Sequence, residues 1–122
     1  MQSMDRQALS CALTGNLIHD VPVNIGRAES NGMFLDEGAT DLVISDNIIY
    51  NIAKSPLRFH RATTNLVKDN VLSCGDGIPP VRYNNTREED ITLVSNLILQ
   101  DSDPDDLVII EEAVLQWHKN RK

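Results

Sequence analysis

Apolar residues alternate with polar residues in short runs along this chain, and the runs recur in a common pattern. Four segments align on an asparagine that follows an apolar residue by three positions and precedes two apolar residues. The asparagines are Asn16, Asn47, Asn70 and Asn96, which lie 31, 23 and 26 residues apart. Alternation at a period of two predicts β-strands. The chain is therefore expected to repeat a unit of short strands.

A second apolar run follows each of these asparagines. The first inward-facing residue of the run is Leu57, Val81 or Leu107, which lies 10 or 11 residues after its asparagine. In the first unit it is Met33, 17 residues after its asparagine, so this unit carries an insertion. Three short strands per unit of about 25 residues, stacked in register, describe a parallel β-helix. We predict an all-β solenoid of about four coils over residues 1–122, either one domain or a fragment of a longer one.

The recurrent unit covers nearly the whole chain, and it resembles that of the right-handed parallel β-helix superfamily of pectate-lyase-like proteins. The resemblance implies the C-terminal part of a bacterial carbohydrate-active protein, with an extracellular or periplasmic location. It also implies that a polysaccharide or oligosaccharide lies along one exposed sheet. Residues 1–13 show no basic segment followed by an apolar one, so we expect no signal peptide in this chain.

The asparagine column has a physical explanation. A turn between strands needs a residue that tolerates the left-handed region, and asparagine does so better than most residues. When asparagines are stacked on successive coils, each side-chain amide can also donate to the carbonyl of the next one. We therefore predict a structural ladder of asparagines inside the solenoid.

Composition narrows the classes of partner. The chain carries a net charge of −7, which argues against nucleic-acid binding, because that requires a basic surface. No apolar run approaches the roughly 18 residues of a membrane span. Aromatic residues make up only 4% of the chain, so the core must consist of Ile, Leu and Val. The cysteines, Cys11 and Cys74, lie far apart and form neither a metal motif nor a disulfide framework.

The two ends of a solenoid expose strand edges. We expect these edges to meet further N-terminal coils or to associate end to end with another copy. The C-terminal end admits two interpretations. The register of Leu107 favours a last strand, with residues 111–122 as a tail or cap and Trp117 as a lid over the open end. Pro104 after Asp103, with basic residues at the far end, is instead typical of a helix. We favour the strand.

When the second apolar runs of the four units are aligned, their outward-facing side chains fall into columns. Neighbouring coils, and so neighbouring members of a column, are about 4.8 Å apart. The first column contains Phe34, Arg58, Arg82 and Val108; the second contains Asp36, His60, Asn84 and Ile110; the third, at the turn, contains Glu37, Arg61, Asn85 and Glu111. We therefore expect Asp36 beside His60, with two arginines one column away. The group comes from three coils and forms the candidate site.

Two chemistries fit this group. A lyase needs a base and a cation that stabilises the developing enolate. His60 would be the base, oriented by Asp36, and Arg58 or Arg82 would hold the substrate carboxylate; Phe34 and Asn84 would contact the sugar. A glycoside hydrolase needs two carboxyl groups, for which Asp36 and Glu37 are the close pair.

A third interpretation involves no catalysis. Each member of the group also fits a surface ion pair or a turn in a structural or binding repeat of a surface or adhesin-like protein.

A cluster of acids precedes the C-terminal segment. Asp101, Asp103, Asp105 and Asp106 supply the oxygen ligands that calcium prefers. They lack the spaced glycines and the distal glutamate of a calcium loop, so we interpret them as a solvated turn. We expect no cofactor and no metal at the candidate site.

Overall fold

The computed structural model describes residues 11–22 and 30–121. Within these residues, eleven strands run in a repeating order of three per coil, and one helix follows them. The strands are β1 (Cys11–Thr14), β2 (Leu17–Val21), β3 (Met33–Leu35), β4 (Leu42–Ser45), β5 (Ile48–Ile52), β6 (Leu57–His60), β7 (Asn65–Lys68), β8 (Val71–Cys74), β9 (Val81–Asn84), β10 (Ile91–Val94) and β11 (Leu97–Gln100). A single 3-10 turn spans Glu88–Asp90, and helix α1 spans Pro104–Lys119.

The strands form three parallel sheets. Sheet A has the order β1-β4-β7-β10, sheet B has the order β2-β5-β8-β11, and sheet C has the order β3-β6-β9. Each strand pairs with its equivalent one coil away, without register slips. The protein is therefore a parallel β-helix with three complete coils and two strands of a fourth, as the repeat predicted.

The core consists of side-chain columns that run through the stack. Ile44 and Val67 are equivalent residues of β4 and β7, and both are fully buried. Ile49 and Leu72 form a second such pair in sheet B, and Phe59 of sheet C is also fully buried. Inward residues of three sheets thus meet in one interior, which is filled mainly by Ile, Leu and Val, as expected, and by one aromatic residue, Phe59, that the composition did not predict.

The asparagine ladder is present. The Nδ2 group of Asn16 donates to Oδ1 of Asn47, that of Asn47 to Asn70, and that of Asn70 to Asn96, each at 2.9 Å. The backbone N–H of the lower asparagine donates to the same oxygen at each step. Asn47 and Asn70 are only 1% exposed, so these bonds satisfy polar groups that water does not reach.

We expected the asparagine to adopt the left-handed conformation at the turn. The structure instead has the residue before the asparagine in that conformation. Gly15, Asp46, Asp69 and Ser95 have φ between 56° and 73°. This backbone conformation turns the chain so that the next residue points inward. The asparagine then serves the ladder alone.

The prediction of a last strand at Leu107 is wrong, because Pro104–Lys119 is a helix. The Asp103 side chain accepts a hydrogen bond from the backbone N–H of Asp105, Pro104 lies in the first turn, and Lys119 lies in the last. Residues of this segment therefore do not extend the outward columns of sheet C. Val108, Ile110 and Glu111 are therefore not members of these columns. Residues 111–119, predicted as a tail or cap, are part of the helix.

Helix α1 lies against the outward face of sheet B. The residues directly after Asn47 and Asn70 are Ile48 and Val71, and both point outward from sheet B. They line one recess together with Ala113 of the helix. Ile110 is 3% exposed. In the second and third coils the apolar pair after the asparagine is thereby explained, since Ile49 and Leu72 face the core whereas Ile48 and Val71 face the helix.

The helix ends at the first coil, which contradicts the expectation that Trp117 forms a lid over the last one. Trp117 Nε1 donates to the Gly15 carbonyl at 2.8 Å. The Arg121 guanidinium donates to the same carbonyl and stacks on the Trp117 ring, with its Cζ 4.1 Å from the ring centroid. The helix therefore ties the last coil to the first.

Both cysteines are outside any disulfide; Cys11 is exposed and Cys74 is buried. Burial raises the pKa of the Cys74 thiol to about 11, with a smaller effect from the nearby Asp101 charge. In the described residues, no helix combines the length and the apolar character that crossing a membrane requires.

Candidate functional site

The outward face of sheet C carries a row of side chains from three coils. Phe34 of β3 is paired in register with Arg58 of β6, which is paired with Arg82 of β9. Their inward neighbours Leu57 and Phe59 are fully buried. Because side chains alternate along a strand, this burial forces the row to face outward. The register predicted from the sequence is therefore the observed one for these three residues.

Arg58 is held in place on this face. Its Cζ lies 4.6 Å from the Phe34 ring centroid, a cation–π distance. Its Nε donates to Oδ1 of Asn84 at 2.8 Å. Arg58 therefore joins all three coils, with one contact to the coil on either side of its own. Arg82 is exposed and forms no salt bridge with another described residue.

Asp36 and His60 meet as the column alignment predicted. The Oδ1 atom of Asp36 lies 2.7 Å from Nδ1 of His60, and the backbone N–H of Glu37 donates to the same oxygen at 2.7 Å. The hydrogen bond with His60, and then that with the Glu37 N–H, lower the pKa of the Asp36 carboxyl below its usual value. Asp36 is therefore an ionised hydrogen-bond acceptor at neutral pH.

This contact sets the orientation of the His60 imidazole. When the ring is neutral, Nδ1 carries the proton and donates it to Asp36, so Nε2 holds a lone pair. No described residue bonds to Nε2, and the His60 side chain is 26% exposed. Asp36, at 58%, is more exposed. The pair can thus accept a proton from a molecule on the sheet face.

Glu37 lies at the turn and not on the sheet face. Its Oε1 accepts a hydrogen bond from Nη1 of Arg61 at 2.8 Å, and both side chains are about 60% exposed. Arg61 has a φ of 55°, which identifies this position as a turn. The structure therefore brings Asp36 to His60 and Glu37 to Arg61, in two separate pairs.

Phe34, Asp36 and Arg82 are exposed to solvent on this face. Recesses lie elsewhere, for example one of about 500 Å³ on sheet A, lined by Asp41, Leu66 and Glu89. The insertion after β2 lies mostly at residues 23–29, outside the described residues. Its C-terminal end is anchored, because Asn31 donates from Nδ2 to the Ser55 carbonyl at 2.9 Å.

A second aromatic cluster was missed from the sequence. The His19 ring stacks on Tyr50, with centroids 5.0 Å apart and planes 4° apart. His19 also contacts Asp20, whose pKa is lowered by hydrogen bonds from Asn51 first and His19 second. The sequence does contain a signal for this stacking. His19 and Tyr50 both lie three residues after a ladder asparagine, so the repeat places them side by side on neighbouring coils.

The acidic cluster before α1 is occupied by protein groups. Asp101 accepts from Oγ of Ser73 at 2.6 Å, and Asp106 accepts from the backbone N–H of Gln100 at 2.9 Å. Asp103 caps the helix. In residues 11–22 and 30–121, no three His, Cys, Asp or Glu side chains are grouped as metal ligands.

Comparison of the chain with family models, with curated proteins and with solved structures found no match in any of the three.

Proposed function

We propose that the outward face of sheet C binds a polysaccharide, and that His60 acts there as a general base. The observation that carries this proposal is the Asp36–His60 contact of 2.7 Å, which leaves the second ring nitrogen of His60 directed away from its partner. An aromatic ring, two guanidiniums and an amide share the face. Such a combination suits a sugar chain, since rings pack on apolar sugar faces and charged groups bind carboxylates.

The reaction that fits best is elimination from a uronate. Nε2 of His60 would remove the proton from the carbon next to the carboxylate. A carbon–carbon double bond then forms as the glycosidic oxygen leaves with its electron pair and takes up a proton. Arg82 would bind the carboxylate, whose charge grows in the transition state, and Asp36 would stabilise the imidazolium. Phe34 and Arg58 would form the floor of the sugar-binding face.

Hydrolysis is the weaker of the two chemistries for this chain. A glycoside hydrolase needs two carboxyl groups that flank the scissile bond. Asp36 is bonded to His60, and Glu37 is bonded to Arg61 at the turn. Glu37 is therefore a poorer candidate for catalysis than His60 and Asp36.

A non-catalytic role is the second candidate. Phe34 with Arg58, Asp36 with His60, and Glu37 with Arg61 each join the first coil to the second. A column of such pairs also suits a binding or structural repeat of a surface protein. In that case the face would hold a sugar chain or another acidic ligand without turnover.

The experiment measures both binding and turnover with the purified chain. Uronate polymers and neutral glucans are offered, binding is followed by calorimetry, and elimination is followed by the ultraviolet absorbance of unsaturated products. We expect His60→Ala to lower turnover by about 100-fold or more, in the range of general-base catalysis. Arg82→Ala should weaken binding of uronates only, whereas the matched variant Arg87→Ala should leave it unchanged.

The outcomes separate the candidates. Binding of uronates that Arg82→Ala abolishes, without detectable turnover, would support the non-catalytic role. Turnover that is unchanged in His60→Ala would exclude His60 as the base. A chain that neither binds nor converts any of these polymers would contradict the proposal.

A further inference from the structure

The interior of the β-helix is uncovered at its last coil. Leu93 is 48% exposed and Ile98 is 45% exposed, yet both belong to inward columns. Their equivalents one coil below, Val67 and Leu72, are 0% and 1% exposed. After β11 the chain enters α1, which lies beside sheet B and leaves the end open. Of the nine exposed large apolar side chains that we find in the described residues, four lie in the two strands of this last coil: Leu93, Val94, Leu97 and Ile98.

The open end also has a recess. Leu93 and Ile98 line a cavity of about 220 Å³ together with Leu72 and Val81 of the coil below. The cavity forms because the last coil has strands in sheets A and B and none in sheet C. Apolar surface of this kind at a strand edge favours contact with another chain.

The asparagine ladder ends with opposite polarity at its two ends. Oδ1 of Asn96 accepts two bonds from Asn70, and its Nδ2 donates to the Val67 carbonyl. Its backbone N–H and second amide hydrogen have no acceptor among the described residues. At the other end, Asn16 is exposed and donates to Asn47, and its Oδ1 has no donor in the described chain. The last coil thus presents donors and the first coil presents an acceptor.

Backbone edges also match head to tail, although here the last coil supplies the acceptor and the first coil the donor. At each internal step, the residue after the upper asparagine donates its N–H to the carbonyl of the lower asparagine, as Ile48 does to Asn16 and Leu97 to Asn70. The Leu17 N–H of a second copy would repeat this bond with the Asn96 carbonyl. The apolar columns match as well, because Leu13 belongs to the column of Leu93.

We propose that the last coil binds the first coil of a second copy, so that the chain associates head to tail. Asn96 would donate to Asn16 of the next copy, and sheets A and B would continue across the junction. Sheet C would be interrupted there by one strand. Contact between two last coils is disfavoured, because it would place the Asn96 ladder donors of one copy against those of the other. A head-to-tail contact is heterologous and does not close by itself, so it leads to open oligomers.

The net charge controls when this association occurs. Each copy carries −7, so like charges oppose the approach of two copies. Salt screens this repulsion, whereas it leaves the apolar and hydrogen-bonded contacts at the junction in place. Association should therefore increase with salt concentration as well as with protein concentration.

The test uses two variants that each block one end of the full chain. Ile98→Lys places a charge on the open last coil, and Asn16→Lys places one at the first coil. Sedimentation velocity is measured at low and high salt over a wide range of protein concentration. The wild-type chain should form oligomers larger than dimers, and each variant alone should remain a monomer. An equal mixture of the two variants should form dimers that grow no further, through the one intact end of each.

The control is Leu115→Lys, which changes an apolar residue of α1 that is 57% exposed and lines a recess beside Tyr50 of the second coil. It should assemble like the wild-type chain. Circular dichroism and thermal unfolding establish that each variant is folded before its mass is interpreted. A wild-type chain that is monomeric at high salt would overturn the proposal, and so would dimers of Asn16→Lys alone, which would indicate contact between two last coils.

Discussion

At the scale of single residues, the ladder asparagines show how one side chain serves two coils. Asn70 accepts from Asn47, donates to Asn96, and donates a second amide hydrogen to the Ile44 carbonyl. Because it is 1% exposed, water cannot replace these partners. A buried polar group that loses its partner costs more than the mean value of a hydrogen bond.

Asn70→Leu should therefore destabilise the protein strongly. We expect the free energy of unfolding to fall by about 3 kcal/mol, because the Asn47 amide and the Ile44 carbonyl lose their partners. Chemical denaturation followed by circular dichroism measures the change. Asn16→Leu is the matched control, since Asn16 is exposed and donates to only one coil. Equal losses in the two variants would show that the ladder bonds are not the cause.

At the scale of elements, α1 covers the outward face of sheet B. Ile48 faces outward yet is only 7% exposed, because the helix covers it. Trp117 and Arg121 attach the end of the helix to the Gly15 carbonyl. The helix thus protects the apolar outer face of a sheet that would otherwise meet water.

Ile110→Ala tests this role of the helix. Its side chain is 3% exposed, so we expect a loss of about 3 kcal/mol in the free energy of unfolding, typical of an isoleucine removed from a packed site. Leu115→Ala, on the exposed side of the same helix, should change it by less than about 0.5 kcal/mol. Urea denaturation of both variants measures the difference. A small loss for Ile110→Ala would mean that the helix contributes little to the stability of the solenoid.

At the scale of the whole molecule, burial falls from the middle of the stack to its ends. The column of Leu13, Ile44, Val67 and Leu93 runs from half-buried through fully buried to 48% exposed. Each coil of a solenoid contacts only its neighbours, so an end coil has half of the contacts of a central one. Stability should therefore depend on position along the stack.

Ile44→Ala and Leu93→Ala test this gradient within one column. Ile44 is fully buried, so its truncation should cost about 3 kcal/mol. Leu93→Ala should cost less than about 1 kcal/mol, because nearly half of the leucine side chain is already in contact with water. The measurement is thermal or urea unfolding in dilute, low-salt solution, where self-association is weakest. A larger cost for Leu93→Ala than for Ile44→Ala would contradict the gradient.

Part of this protein follows from its sequence alone. The spacing of Asn47 and Asn70, with apolar residues at constant offsets, predicts the coils because strand pairing in a solenoid joins equivalent residues. The same register places Asp36 beside His60 and Glu37 beside Arg61, and both pairs are present. Local periodicity was sufficient for these contacts, since a residue's neighbour lies one repeat away.

Tertiary structure decided what lies outside the repeat. Val108, Ile109 and Ile110 favour a strand by propensity, but their segment is a helix, because the Asp103 cap supports it and the outer face of sheet B offers apolar surface. The position of Trp117 at Gly15 follows from that packing, which joins residues 102 positions apart. The alternating sequence pattern determined the coils. The pattern did not determine that sheet B would be covered on its outer face, or that α1 would cover it, because both depend on long-range contacts that no local pattern encodes.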